Sequence, residues 1–530
     1  MKATCLNSRV TRTLMLGLGL LLAPAAHASG VKVLEPRLPT IKPTNPELDA
    51  ETPVQRLVVK FQEGTRVRLR GGRMKALSSE RGEHERRRMK RWGLSDGRVL
   101  ADLTTAHSVL ERVPRRGQVG RLFRENELAL ADHKRNAEDR TGKEMADLDL
   151  YYEVPLQGAV RAGEVNSLVM QLNALDSVEI AYAEPMPEPA MLDFRPARRR
   201  PRNGPSTQSS TTSPYDSQQG YLNAAPVGID ARYAWTVSGG DGTGVRIVDV
   251  EGAWNDQHED LPNFFYVGGT EFDDSDWRDH GTAVLGVMAG ARNGYGVTGI
   301  AHQARVGHQG VATQTVASAI THAAIAAGKG GVVLVELQAL GPRANKNCTC
   351  NTAQCNYVPM EYWQANFDAI AQATANGVHV VEAAGNGSAN LDSPVYRGAF
   401  DRSVRDSGAI FVAASTATTR APMCWSNHGS RVDVHAWGEK VVTLGFGDLF
   451  DSGENQWYTA SFGGTSSAAP IVVGAVASLQ GAANAAGLGP IPPRALRDLL
   501  RTTGTPQASS TKRIGSLPNL REAIPQLLAR

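Results

Sequence analysis

The sequence predicts an α/β domain with a mainly parallel sheet and helices on both faces over residues 215–530, preceded by a smaller α+β unit within residues 29–200. Three observations carry this reading. Residues 244–250 are a short apolar run that follows a glycine-rich turn, the pattern of a strand buried on both faces of a sheet, and 377–384 read as a second strand running into a Gly-Asn-Gly loop. Residues 281–290 and 468–479 are longer apolar runs rich in small residues, and read as buried helices. The first part differs: 55–61 reads as a strand, 164–175 as an amphipathic helix and 178–185 as a closing strand, with a long, charged, helical insertion over 64–148. Residues 186–214 turn to Pro, Arg, Ser, Thr and Gln, a composition that packs poorly and marks an exposed linker.

At 530 residues, with 41% hydrophobic and 21% charged composition, the chain is long enough for two folded units. A formal net charge of +3 is small for this size and gives no case for nucleic-acid binding. Lys2, Arg9 and Arg12 precede an apolar run at 14–26, and Ala26-His27-Ala28 is a small-residue cleavage site, so residues 1–28 read as an export signal. The run is too short for a permanent membrane anchor, and the chain is expected to be secreted, to an extracellular or periplasmic space. Beyond Cys5 in the signal, Cys348, Cys350, Cys355 and Cys424 then lie where disulfides persist. Their spacing does not match common zinc sites; three pairings are open, of which Cys348 to Cys350 is sterically poor.

The chemistry-bearing stretch is Gly464-Thr465-Ser466-Ser467-Ala468-Ala469-Pro470, which places Ser466 in the first turn of a buried helix. Unpaired backbone N–H groups and the helix dipole there suit a developing oxyanion, although a serine at such a position also serves as a plain cap. A serine hydroxyl needs an adjacent base to become nucleophilic. Upstream, Asp249 sits at the end of the apolar run 244–250, His280 opens the small-residue helix, and Asn386 lies in a Gly-Asn-Gly loop after the second strand. Taken singly, these are a strand-end carboxylate, a helix cap and a turn residue.

Together, in the order Asp, His, Asn, Ser, they resemble the subtilisin-like serine peptidases, the subtilase family, over residues 220 to 525. His258-Glu259-Asp260-Leu261, Gly296-Val297-Thr298-Gly299-Ile300-Ala301 and Ser426-Asn427-His428-Gly429 resemble further family segments. The resemblance implies a three-layer subtilisin-like domain in which Ser466 is the nucleophile, His280 the base and later acid, Asp249 the group orienting the imidazole, and Asn386 an oxyanion donor. Subtilisin is the reference case for these roles, so they are carried over from the family. The family requires no cofactor; calcium is a structural ion it allows, and the acidic run 271–276 is the candidate, set against a solvated loop. The implied partners are a protein or peptide substrate and the chain's own propeptide. Residues 29–200 resemble that propeptide, with maturation expected between Glu184 and Pro214.

Glu336 and Gln338, on a strand that lines the cleft in relatives, and Ala383 and Gly385 before Asn386, are the substrate-binding residues implied. A cleft-facing Glu336 would favour basic substrates, whereas a one-residue register change would turn it into a buried polar network. The chain departs from the family after Asp249, where Val250 and Glu251 precede Gly252 in place of a single Thr or Ser. The alternative function is a weak or inactive homologue that binds peptide. Gly93-Leu94-Ser95-Asp96-Gly97 matches the nucleophile elbow of α/β-hydrolases, but the charged stretch before it is helix-like rather than a strand.

Overall fold

The computed structural model describes residues 34–191, 211–345 and 347–529. The expected export signal and the arginines at 198–202 lie outside the described residues.

The first unit is built on a four-stranded antiparallel sheet. β1 (Pro53–Phe61) is followed by a hairpin of β2 (Val67–Arg70) and β3 (Arg73–Ala76), then α1 (Glu83–Arg91), α2 (Asp96–Glu111), β4 (Gly120–Arg121), α3 (Glu127–Thr141), β5 (Tyr151–Arg161), α4 (Ala162–Asn173) and β6 (Val178–Glu184). The sheet order is β4-β5-β1-β6. The insertion expected to be helical therefore also contains a hairpin. Strand alternation gives the sheet two buried faces. Leu57, Val59 and Phe61 pack with α2 and α4, whereas Val58, Tyr151, Ile180 and Tyr182 turn the other way, into a core shared with the second unit. Ser95 caps α2, its hydroxyl accepting from Arg98 N at 3.2 Å after a preceding helix, so the elbow-like motif is ordinary capping.

The second unit begins after the two-residue strand β7 (Glu188–Pro189). It contains α5 (Ala231–Ala234), β8 (Arg246–Glu251), β9 (Tyr266–Thr270), α6 (Ser275–Ala289), β10 (Arg305–Val311), α7 (Val316–Ala327), β11 (Val332–Val335), β12 (Leu337–Leu340), β13 (Tyr357–Pro359), α8 (Gln364–Ala375), β14 (His379–Ala383), β15 (Ile410–Ser415) and β16 (Val434–Trp437). β17 (Val441–Leu444), β18 (Phe450–Asp451) and β19 (Trp457–Phe462) form a small sheet before α9 (Thr465–Ala485), α10 (Pro493–Thr503), β20 (Thr505–Pro506), β21 (Ser516–Leu517) and α11 (Leu520–Leu528). The main sheet runs β20-β21-β16-β15-β14-β11-β8-β10-β9 and is parallel except at β20. One face carries α6, α9 and α11, and the other α7 and α8. This is the three-layer α/β arrangement expected, and it lines up the C-terminal ends of β8, β11 and β14, where open α/β sheets form sites. Among the described residues α9 alone is long and apolar enough to cross a bilayer, and it is fully buried within the protein.

A buried ionic cluster locks the sheet to its flank. Arg431 is wholly buried, donates to Asp433 at 2.8 Å and to Glu361 at 3.3 Å, and stacks 3.6 Å from the Phe411 ring. Removing one partner strands the opposite charges in a dry site. Arg431→Ala is expected to lower unfolding free energy by roughly 3–5 kcal/mol, read from denaturant unfolding of the unprocessed chain.

Candidate active site

Four elements converge at the C-terminal end of the sheet. Gly464, at φ 102°, turns the chain into α9 and places Ser466 in its first turn, as the sequence implies. Thr465 N and Oγ1 both donate to Asn386 Oδ1 at 3.0 Å, so the amide group of Asn386 is locked with Nδ2 facing the cleft. Gln338 Oε1 accepts from Asn386 N at 2.8 Å and fixes the loop from below. Gly385, at φ 90°, is needed here because a Cβ would press on Asn427 and Gln338. Ala383 ends β14 inside the core beneath the loop.

His280 lies in the second turn of α6 rather than at its start. Asp274 is the reason: its side chain accepts from Asp276 N and Trp277 N, and the helix begins at Ser275. Nδ1 of His280 meets Glu251 Oε1, while the ring edge packs on Phe462. Asp249 instead accepts from Trp254 Nε1 at 2.9 Å. The strand that presents an acid to the imidazole therefore uses its last residue, Glu251, with Asp249 two residues behind on the same face. Nε2 of His280 and Oγ of Ser466 are both buried without a hydrogen-bond partner among the described residues.

Glu336 follows β11 and is fully buried. It faces Ser466, Glu251 and Asp249, and neither carboxyl oxygen meets hydrogen-bond geometry among the described residues. Three acids now share one dry pocket. Burial raises all three well above the carboxylate range; mutual repulsion adds to the rise at Asp249 and Glu336. Burial pushes His280 down to about 3, against an upward pull from Asp249. Burial thus disfavours the charged form of each of these four groups.

The cleft is filled by the chain itself. β7 pairs antiparallel with β12, Leu337 opposite Pro189 and Gln338 opposite Glu188, and β13 lies on the other side of β12. Gln338 Nε2 and Gln354 Nε2 donate to Pro189 O at 3.1 and 3.3 Å. Asn386 Nδ2 donates to Ala190 O at 2.5 Å. Gln354 was not evident from the sequence. It is held at the cleft by disulfides Cys348–Cys355 and Cys350–Cys424, whose Cα separations are 5.5 and 6.0 Å. These pairings settle the three left open and set aside zinc for these cysteines.

The acidic run at 271–276 is not a converging oxygen cage. Asp274 caps α6 and Asp273 pairs with Arg278. Glu271 joins Asp256 and His308, whose ligand atoms lie within 4.8 Å of one another. Two carboxylates and an imidazole poorly match the six to eight oxygens that calcium takes.

Residues 241–516 match the sequence model of the subtilase family. The chain belongs to the subtilase family. This subtilase is 27% identical over 338 residues to an "Extracellular protease" of Xanthomonas campestris pv. campestris, an alignment covering 56% of this chain and 53% of that protein. It spans about half the length of that relative. Among solved structures it is similar to fervidolysin from Fervidobacterium pennivorans, described as a keratinolytic enzyme related to subtilisin, with TM-score 0.51 and 16% identity over 91% of this chain and 64% of that one. It is also similar to a protease from Pseudoalteromonas arctica, with TM-score 0.44 and 21% identity over 60% of this chain and all of that one.

Proposed function

We propose that this subtilase is a secreted serine endopeptidase made as an autoinhibited precursor, in which Glu251 rather than Asp249 orients the catalytic histidine. One observation carries the reading: His280 is held by Glu251 through Nδ1, which leaves Nε2 as the basic atom in the pocket of Ser466, at the helix start beside the locked Asn386 amide. Ser466 Oγ attacks the carbonyl carbon as its proton passes to His280 Nε2. The oxyanion meets Asn386 Nδ2 and the Ser466 amide. The C–N bond then breaks, His280 returns the proton to the departing amine, and water hydrolyses the ester by the same relay. Asp249, held by Trp254, tempers the charge on Glu251. The extracellular relative and the disulfides support export, and the first unit acts as the propeptide.

The pH profile tests the arrangement. An unperturbed imidazole would limit the rate near pH 6 to 7, but a histidine lowered to about 3 stays neutral well below that. The limiting ionisation is then that of the raised carboxyl groups, so activity rises with pH as Glu251 becomes an anion. Glu336→Gln removes one like charge, lowers the affinity of the remaining pair for its proton, and is expected to move the acid limb of kcat/KM to lower pH. An unmoved limb contradicts the coupling of Glu336 to the other two acids.

The propeptide role has its own test. Arg37 bridges Glu179 of the first unit and Asp368 of α8, and Tyr151 Oη donates to Asp368 Oδ2 at 2.6 Å. Burying both charges makes truncation costly, on the order of 2–5 kcal/mol. Asp368→Ala is expected to weaken inhibition of processed enzyme by its released first unit by about thirtyfold or more, the lower end of that range. An unchanged inhibition constant removes the claim that this face holds the inhibitor.

A further inference from the structure

We infer that Ala190–Met191 is the bond this chain cuts in itself, and that its cleft takes substrates with a small apolar residue on the acyl side of the cut, preceded by proline and an acid. The inference rests on the reading of Ser466, His280 and Asn386 given above. Its own support is the way residues 188–190 occupy the cleft.

Antiparallel pairing with β12 fixes the direction and register of the docked chain. Register then sets which carbonyl arrives at the oxyanion donor. That carbonyl is Ala190 O, on Asn386 Nδ2 at 2.5 Å. Gly464 confirms how closely the turn before Ser466 approaches the same atom, since a Cβ there would lie 2.4 Å from Ala190 O. A carbonyl oxygen held by the oxyanion donor, against the first turn bearing the nucleophile, belongs to the bond positioned for attack.

The side chains define the class of substrate. Ala190 has no exposed surface and is enclosed in the same core cluster as the start of α9, so a longer side chain must displace packed atoms. Pro189 carries no N–H to the ladder, and its carbonyl is held instead by two glutamine side chains, Gln338 and Gln354. Glu188 Oε1 accepts from Tyr357 Oη at 2.6 Å. Tyr357 Oη thereby offers a donor to a carboxylate at the position of Glu188. The arginines at 198–200 begin eight residues beyond Ala190 in the sequence.

In the cut, Ser466 Oγ forms the ester with Ala190 C, the Ala190–Met191 C–N bond breaks, and the Met191 amine leaves with the proton relayed by His280. Water then releases the Ala190 carboxylate and restores Ser466.

The test uses the full chain purified as precursor, with intact mass and N-terminal sequencing of the first product formed. Expected are a new N-terminus at Met191 and a prosegment ending at Ala190, with no such product from Ser466→Ala. First cleavage among residues 198–202, with Ala190–Met191 intact, overturns this inference and leaves the reading of the site standing. Cleavage at Ala190–Met191 in purified Ser466→Ala at the parent rate sinks the reading of the site instead. Ala190→Trp is expected to slow first cleavage by about a hundredfold, in line with 1–3 kcal/mol of overpacking. Because that variant can misfold, processed enzyme is also assayed on peptides Glu-Pro-Ala, Glu-Pro-Phe and Glu-Pro-Arg joined to one leaving amine. A preference of tenfold or more for Ala supports the pocket; equal or faster cleavage after Phe or Arg refutes it.

Discussion

Purified Ser466→Ala is expected to remain full-length and to lose peptide hydrolysis by about five orders of magnitude or more, as removal of a triad nucleophile does in subtilisin itself. Its stability should be unchanged, because the Ser466 hydroxyl makes no hydrogen bond among the described residues. Asn386→Ala is a different case. Losing an oxyanion donor costs roughly a hundred- to a thousandfold in rate. The same side chain also accepts from Thr465 N and Oγ1, so truncation orphans a buried donor at the start of α9 and should destabilise the chain by about 1–3 kcal/mol. Rate and thermal unfolding measured on both variants separate the two effects. Parent-rate casein cleavage by Ser466→Ala, free of host proteases, would falsify the nucleophile assignment.

Glu251→Gln should be the most damaging substitution among the buried acids, lowering kcat/KM by about two to four orders of magnitude. A glutamine can still meet Nδ1 of His280, but it cannot stabilise the imidazolium that forms when the serine proton is taken. Asp249→Asn keeps an acceptor for Trp254 Nε1 and a polar neighbour able to hydrogen-bond Glu251, so its effect is expected to stay within about tenfold. The comparison is made at a pH above the acid limb of each variant. The opposite order would return the orienting role to Asp249, as the family resemblance implies.

Much of the architecture is legible in the chain because glycine-bounded apolar runs and small-residue helices leave few alternatives to a parallel sheet with two covered faces. Ser466 and Asn386 are legible for the same reason: each is tied to a local signal, a glycine-led helix start and a Gly-Asn-Gly loop. The small-residue run beginning at His280 reads as a helix opened by that histidine, whereas Asp274 uses its carboxylate to begin the helix at Ser275. Asp249 and Glu251 are two apart on one strand and share a face, so sequence spacing alone allows either to reach the imidazole. Where β8 ends decides between them. Glu336 turned on a single residue of register, and the structure places it inward with the acids. Gln354 carries no signal at all in the sequence, since its position depends on two disulfides that close only in the folded loop.

Activation of Ser466 by His280 in the processed protein can be read from reaction with a fluorophosphonate, followed by peptide mapping. Expected is stoichiometric modification of Ser466 in the processed chain, with loss of peptide hydrolysis in step and much slower labelling of the precursor, whose cleft is filled by residues 188–190. Full inhibition with Ser466 unmodified, or modification of Ser95 in its place, would contradict the account.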